Sequence, residues 1–195
     1  MANGEAPQSR GLILLTLRNA ADELFGPEGL REIAAQLPPE VRAAMVDAHP
    51  MALTWYPTSH VVAWWHAVAA GPGRDDAVFR TFVDRSNELG FGRVRKTLLG
   101  FVGPAGLVAR AAELWRHDHT AGTLEVVETL PGSPDGVRGG VKAALRDHPF
   151  VETDVARRGI AEALRYILSL ARGVRGVEVT YGMEAGALVM RFAWS

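Results

Sequence analysis

The stretch that decides the fold is Asp154 to Ser195, DVARRGIAEALRYILSLARGVRGVEVTYGMEAGALVMRFAWS. Its first part, to Arg172, repeats apolar or small residues every three or four positions, at Val155, Gly159, Ala163, Ile167 and Leu170. Arg158, Glu162, Arg165 and Ser169 fall on the other side. That period belongs to an amphipathic helix. The period then drops to two: Val177, Val179 and Tyr181 alternate with Glu178 and Thr180. After a glycine-bounded turn from Gly182 to Gly186, Leu188, Met190, Phe192 and Trp194 alternate with Ala187, Val189, Arg191 and Ala193. These are two antiparallel strands, and the helix needs one of their faces to bury its stripe.

Upstream the pattern is helical. Leu12, Leu15, Ala20 and Leu24 suggest a first helix ending near Gly26, and Pro27 suits the first turn of a second helix through Gln36. Glu40 to Ala48 reads as a short helix stopped by Pro50. Pro57 forces Tyr56 into an extended conformation and can open a helix carrying Val61, Trp64, Trp65 and Val68, ended at Gly71-Pro72-Gly73. Asp75 to Leu89, Arg93 to Phe101 and Pro104 to Trp115 read as three further helices. Thr123 to Leu130 is rich in strand formers and bounded by Gly122 and Pro131-Gly132. A turn-rich loop, Gly132 to Gly140, and a short helix, Val141 to Asp147, follow.

Helices first and an antiparallel sheet later make an α+β chain. An N-terminal helical layer from Gly11 to Trp115 is expected to pack on a C-terminal antiparallel sheet with one long amphipathic helix. With 195 residues, 48% of them hydrophobic, residues 11–195 are expected to form a single domain, with residues 1–10 as a disordered leader.

Bulk properties exclude several functions. A net charge of −1 gives no electrostatic footprint for nucleic acid or an anionic membrane. With no cysteine, there are no disulfides, thiolate nucleophiles or sulfur-ligated zinc. The start lacks a signal-peptide order and Leu12 to Leu17 is too short to cross a bilayer, which points to the cytoplasm.

Candidate chemistry is thin. Glu113 and His117 share a helix face, with His119 just beyond, but a zinc site wants three or four ligands, and a polar helix end is the simpler reading. His60 and His66 stand six apart, about 240° around a helix, and cannot serve one site. Ser59-His60 lacks a nucleophile elbow. Gly100, Gly103 and Gly106 match no phosphate loop, and Asp75 and Asp76 suit a helix start. Arg80, Arg85, Arg93, Arg95 and Lys96 form the one basic cluster, which reads as a solvated helix face. No catalytic residue, metal ligand or cofactor follows from these residues. The aromatic set Trp55, Tyr56, Trp64, Trp65 and Trp115 carries more: large rings with polar tips fill cores by default, and they also line apolar pockets.

Gly11-Leu12-Ile13, Trp55-Tyr56-Pro57 ahead of Trp64-Trp65, Leu89-Gly90-Phe91-Gly92, Gly103-Pro104, the Gly122 to Val127 strand and the terminal Phe192-Ala193-Trp194 resemble a paralogous family of myxobacteria. That likeness covers nearly the whole chain and implies a fold without an activity. The order of elements is similar, more distantly, to the haem nitric-oxide-binding domains and the 4-vinyl-reductase-like small-molecule-binding domains, with transport-particle subunits further off. In the haem-containing members the resemblance places the proximal histidine on the segment matching Arg93 to Phe101, and a Tyr-x-Ser-x-Arg motif on the propionates. This chain has neither, nor the cysteines that some 4-vinyl-reductase-like domains carry near their last strands.

The expected function is a non-enzymatic sensory or regulatory module holding an apolar small molecule between helices and sheet, with Trp55, Tyr56, Trp64, Trp65 and Tyr181 lining or gating it. The alternative is a protein-interaction or scaffold module acting as a homodimer. An enzyme would need Glu113, His117 and a further polar group in one cleft.

Overall fold

The computed structural model describes residues 6–99, 101–130 and 139–195, with residues 92–99 as backbone alone. They group into two compact units, Met1–Gly90 with Asp118–Ala121, and Phe91–His117 with Gly122–Ser195.

In the first unit, β1 (Gln8–Arg10) pairs antiparallel with β2 (Trp55–Pro57), Arg10 lying opposite Trp55. The expected leader is therefore corrected at its end. Gln8 to Arg10 are tied down by a ladder, and Ser9 is fully buried. Helix α1 (Gly11–Gln36) contains the break expected near Gly26, whose φ of 65° and ψ of −171° suit glycine alone, with Pro27 restarting the helix. The short helix expected over Glu40 to Ala48 is α2 (Pro39–Arg42) running into a π-helical turn, Ala43–Asp47. Helix α3 (Thr58–Ala70) begins after Pro57 as expected and buries Val61, Trp64, Trp65, Ala67 and Val68. Asp75 caps the next helix, its Oδ1 accepting from Ala77 N at 2.8 Å and Val78 N at 3.3 Å.

That helix, α4 (Asp76–Leu99), corrects a second expectation. One helix replaces two, because Gly90 and Gly92 weaken a helix without ending it when the flanking residues are good helix formers. The side chains of Arg93, Arg95 and Lys96, and Gly100, lie outside the described residues.

The second unit contains α5 (Pro104–Asp118), up to His117, and a four-stranded antiparallel sheet in the order β3-β4-β6-β5. β3 (Thr123–Leu130) and β6 (Ala187–Trp194) have the expected bounds, and β5 is Glu178–Glu184. β4 (Gly139–Arg146) is the main correction, since Val141 to Asp147 reads as a helix in the sequence. Alanine, leucine, lysine and arginine favour helix locally, but here the strand sits between β3 and β6, and Ala143, Ala144 and Leu145 are buried. Tertiary pairing overrides propensity. Of the loop expected over Gly132 to Gly140, residues up to 138 lie outside the described ones, and Gly139 and Gly140 open β4.

Register fixes the two faces of this sheet. Val141, Ala143, Leu145, Leu188, Met190 and Phe192 share one face, with Val179, Tyr181 and Met183 beside them, while Lys142, Arg146, Arg191 and Glu184 share the other. Helix α6 (Asp154–Ser169) lies against β5 and β6, but its buried side corrects the expected stripe: Ala156, Gly159, Ile160, Ala161 and Leu168 are buried together with Glu162 and Arg165, whose opposite charges pair, while Val155, Ala163 and Ile167 are half-buried. It is capped by Thr153, whose Oγ1 accepts from Ala156 N at 3.3 Å. The turn expected over Gly182 to Gly186 tightens to Ala185-Gly186, with φ of 48° and 78°. Among the described residues no helix is long and apolar enough to cross a membrane.

Candidate functional site: the aromatic segment of β2 and α3

The aromatic residues of β2 and α3 divide into two pairs. Trp55 and Tyr56 are half-buried and hold the entrance of the segment together. The Arg10 guanidinium lies 4.2 Å from the Trp55 ring centroid and donates from Nη1 to Leu53 O at 3.1 Å, a cation–π contact that pins β1 to β2. Tyr56 Oη accepts from Met51 N at 3.1 Å. Its ring lies so close to Gly11 that a Cβ there would come within 2.7 Å of it. These contacts fix the 48–54 loop, whose Leu53 side chain is 86% exposed.

Trp64 and Trp65 behave differently. Trp64 is fully buried and Trp65 is 8% exposed, yet among the described residues neither indole Nε1–H has a hydrogen-bond partner. One turn before Trp64, on the same face of α3, the Nδ1 of His60 is also buried without one. Burial holds the His60 imidazole below its usual pKa, opposed by the charge of Glu40, so the ring is neutral at pH 7. A buried donor left unmade costs about 1–3 kcal/mol, so this helix carries a concentrated polar deficit.

The start of α3 shows the contrast. The hydroxyls of Ser9 and Thr58 share a hydrogen bond at 2.9 Å, and Ser9 Oγ also bonds His119 Nδ1 at 3.2 Å. Thr120 N donates to Gln8 O at 2.9 Å, laying the 118–121 segment along β1. Sequence reasoning missed this cluster, because its members lie 49 and 110 residues apart with no local signal.

The other expected positions do not gather here. Tyr181 lies on β5 in the second unit, half-buried on the sheet face opposite Lys142 and Arg191. Glu113 and His117 fall on α5, one turn apart, and His119 belongs to the first unit. No group of three His, Cys, Asp or Glu able to hold a metal occurs among the described residues. Ser59 is exposed beside His60 and offers no hydrolase geometry. Arg85 of the basic cluster is occupied by Glu23 at 2.6 Å and Glu88 at 2.7 Å.

Two further features went unread in the sequence. An open apolar groove of about 250 Å³ lies between α1 and α4, lined by Leu24, Phe25, Ala77, Val78 and Thr81. In the second unit His148 is 7% exposed, edge-on to Trp115 with ring centroids 5.7 Å apart, and desolvation pushes its pKa down to about 4.

No protein-family model and no curated protein matches the chain. Solved structures do. An Fe(II) unliganded H-NOX protein from K. algicida superposes with a TM-score of 0.65 at 11% identity, over 95% of this chain and 96% of that one. An H-NOX protein from S. oneidensis in the Fe(II) ligation state gives 0.62 at 13% identity, over 95% and 96%. An oxygen-binding H-NOX domain related to soluble guanylate cyclases gives 0.57 at 14% identity, over 95% and 94%.

Two of those structures are in an Fe(II) state, and α4 tests whether this chain could hold haem iron through a helix histidine. The whole of Asp76 to Leu99 contains no histidine, so the helix offers no imidazole to a haem iron. The residues do not fit haem held in that way. Across almost its full length the chain nonetheless carries the α+β fold of the H-NOX domains.

Proposed function

We propose that the chain is a cytoplasmic, non-enzymatic sensory or regulatory module, acting as one domain. It binds an apolar small molecule through the aromatic segment of β2 and α3. One observation carries this reading. Half of the chain's eight tryptophans and tyrosines lie within residues 55–65, and the two indoles of α3 are buried in apolar company that includes Val61 and Val68. The H-NOX fold supports it as a scaffold whose relatives include an oxygen-binding domain. The missing histidine on α4 moves the ligand away from iron-held haem. Trp64 and Trp65 contact the ligand in this reading, and Trp55 and Tyr56 gate the segment from the 48–54 loop.

Native mass spectrometry of protein purified without denaturation is expected to show a retained small molecule. A library of apolar ligands is expected to contain members that raise the melting temperature, since a ligand of the folded state alone stabilises it by mass action. A protein that carries nothing and responds to no apolar ligand defeats the reading.

A second reading is favoured by β3. It is an edge strand with Val126, Val127 and Leu130 exposed, a surface suited to pairing with a second copy in a homodimer. The bulge between Val126 and Glu128 works against such pairing. Sedimentation showing a monomer at high concentration removes the homodimer.

A further inference from the structure

The proposed ligand has a chemistry that the α3 helix itself specifies. Trp64 and Trp65 are both more than nine-tenths buried. An indole N–H can only donate. Two such donors, adjacent in sequence, have no acceptor, although the same unit satisfies Ser9 and Thr58 completely a turn and a half away. Adjacent residues project about 100° apart on a helix, so a single polar atom is not enough for both donors. What the helix lacks is acceptor oxygens within apolar surroundings: Val61 and Val68, 2% and 0% exposed, stand one turn to either side of the indoles, and Ala67 lies beside them.

We propose that the ligand of this segment is an apolar molecule bearing carbonyl-class oxygen acceptors, which take the indole N–H groups of Trp64 and Trp65. A pure hydrocarbon leaves both donors unmade. The inference rests on the small-molecule reading above and goes beyond it by fixing the polar part of the ligand. His60 sits one turn from Trp64 with its Nδ1 unpartnered, which extends the polar side of the segment toward the start of α3. Specificity follows from the asymmetry of hydrogen bonding in buried sites. The gain from a bond made is modest, but an analogue that leaves a buried donor unpaired bears the full cost of desolvation.

The test compares probes matched in shape, acetophenone against ethylbenzene and 2-decanone against decane, using the full chain and following both melting temperature and the Nε1–H signals of an ¹⁵N-tryptophan sample. The ketones are expected to bind about tenfold more tightly than their hydrocarbon partners, the equivalent of one buried hydrogen bond. A ketone has one acceptor oxygen, so each probe should move the resonance of the one indole it engages, Trp64 or Trp65, and slow its exchange with solvent. Trp64→Phe and Trp65→Phe keep a ring and remove the donor, and the variant that lacks the engaged indole is expected to shrink the ketone preference toward onefold. Should a variant fail to fold, the indole resonances of the unaltered protein still decide. Ketones and hydrocarbons binding equally well would overturn the acceptor chemistry and leave the small-molecule reading standing. Failure of all four probes to bind overturns the inference. Failure of a wider apolar library and an empty native mass spectrum overturn the reading beneath it.

Discussion

Helices α3 and α6 bury polar atoms in opposite ways. In α6, Glu162 and Arg165 are 5% and 8% exposed and answer each other, Arg165 Nε donating to Glu162 Oε2 at 2.5 Å. In α3 the buried indole donors answer nothing. A buried pair that brings both donor and acceptor meets its own need, and Glu162 and Arg165 serve architecture. Adjacent buried donors without an acceptor on their own helix are the feature on which the proposed ligand rests. The contrast teaches that unmet hydrogen-bonding capacity, which sequence periodicity does not record, is what sets α3 apart as the proposed site.

The largest effect that can break this comparison comes from α6. Glu162→Ala leaves a guanidinium buried without its carboxylate and is expected to cost about 3–5 kcal/mol in urea unfolding, while Glu162→Leu with Arg165→Leu recovers most of that loss. A loss below about 1 kcal/mol would mean that the pair is not the self-sufficient unit described.

Acid supplies the next effect, again in the second unit. The His148 imidazole has a pKa of about 4 in the fold against 6.5 as the ordinary value, so the folded state prefers the neutral ring. The unfolded chain binds the extra proton first. Stability from this group is complete above about pH 6.5 and falls as the pH drops toward 4, by up to about 3 kcal/mol. Denaturant unfolding measured across that window should show the slope, and His148→Gln should flatten it.

Smaller still is the expected change in the ligand-free protein when α3 loses a donor. Trp64→Phe removes an unmade N–H together with some packing, and the two terms oppose each other, so a stability change under about 2 kcal/mol is expected. The same variant should lose most of the ligand-induced rise in melting temperature. A Trp64→Phe loss near 4 kcal/mol with ligand response intact would place Trp64 with Glu162 as architecture.

Legibility in the sequence followed the range of the interactions involved. Local signals are legible: the Pro57 start of α3, the Gly26 break and the bounds of β3 and β6 all arise from a few neighbouring residues, whereas the buried side of α6 takes in Glu162 and Arg165, which the periodicity assigns to the polar side. β4 was misread because Ala143, Ala144 and Leu145 owe their conformation to strands β3 and β6 on either side, and nothing within the segment records that. Gln8 to Arg10 read as a leader in the sequence because their partners, residues 55–57, are nearly fifty positions away. At the candidate site, composition singled out Trp64 and Trp65. Their unpartnered donors could not be read, because satisfaction is a property of what surrounds a side chain.

The finest test concerns Ala185, in the two-residue turn between β5 and β6. Its φ of 48° is a left-handed conformation that costs an L-residue with a Cβ about 1 kcal/mol, and Gly186 beside it takes the same hand at no such cost. Asparagine tolerates this region, and Asn-Gly is the preferred pair for such a hairpin, whose twist it matches. Ala185→Asn is therefore expected to stabilise the chain by roughly 0.5–1 kcal/mol, read as a rise of a few degrees in melting temperature. Because the turn belongs to the sheet, the gain should add to the ligand-induced shift without changing its size, as independent sites do. A variant that is more stable but responds less to ligand would contradict that independence, and the ligand response could then no longer be assigned to α3 alone.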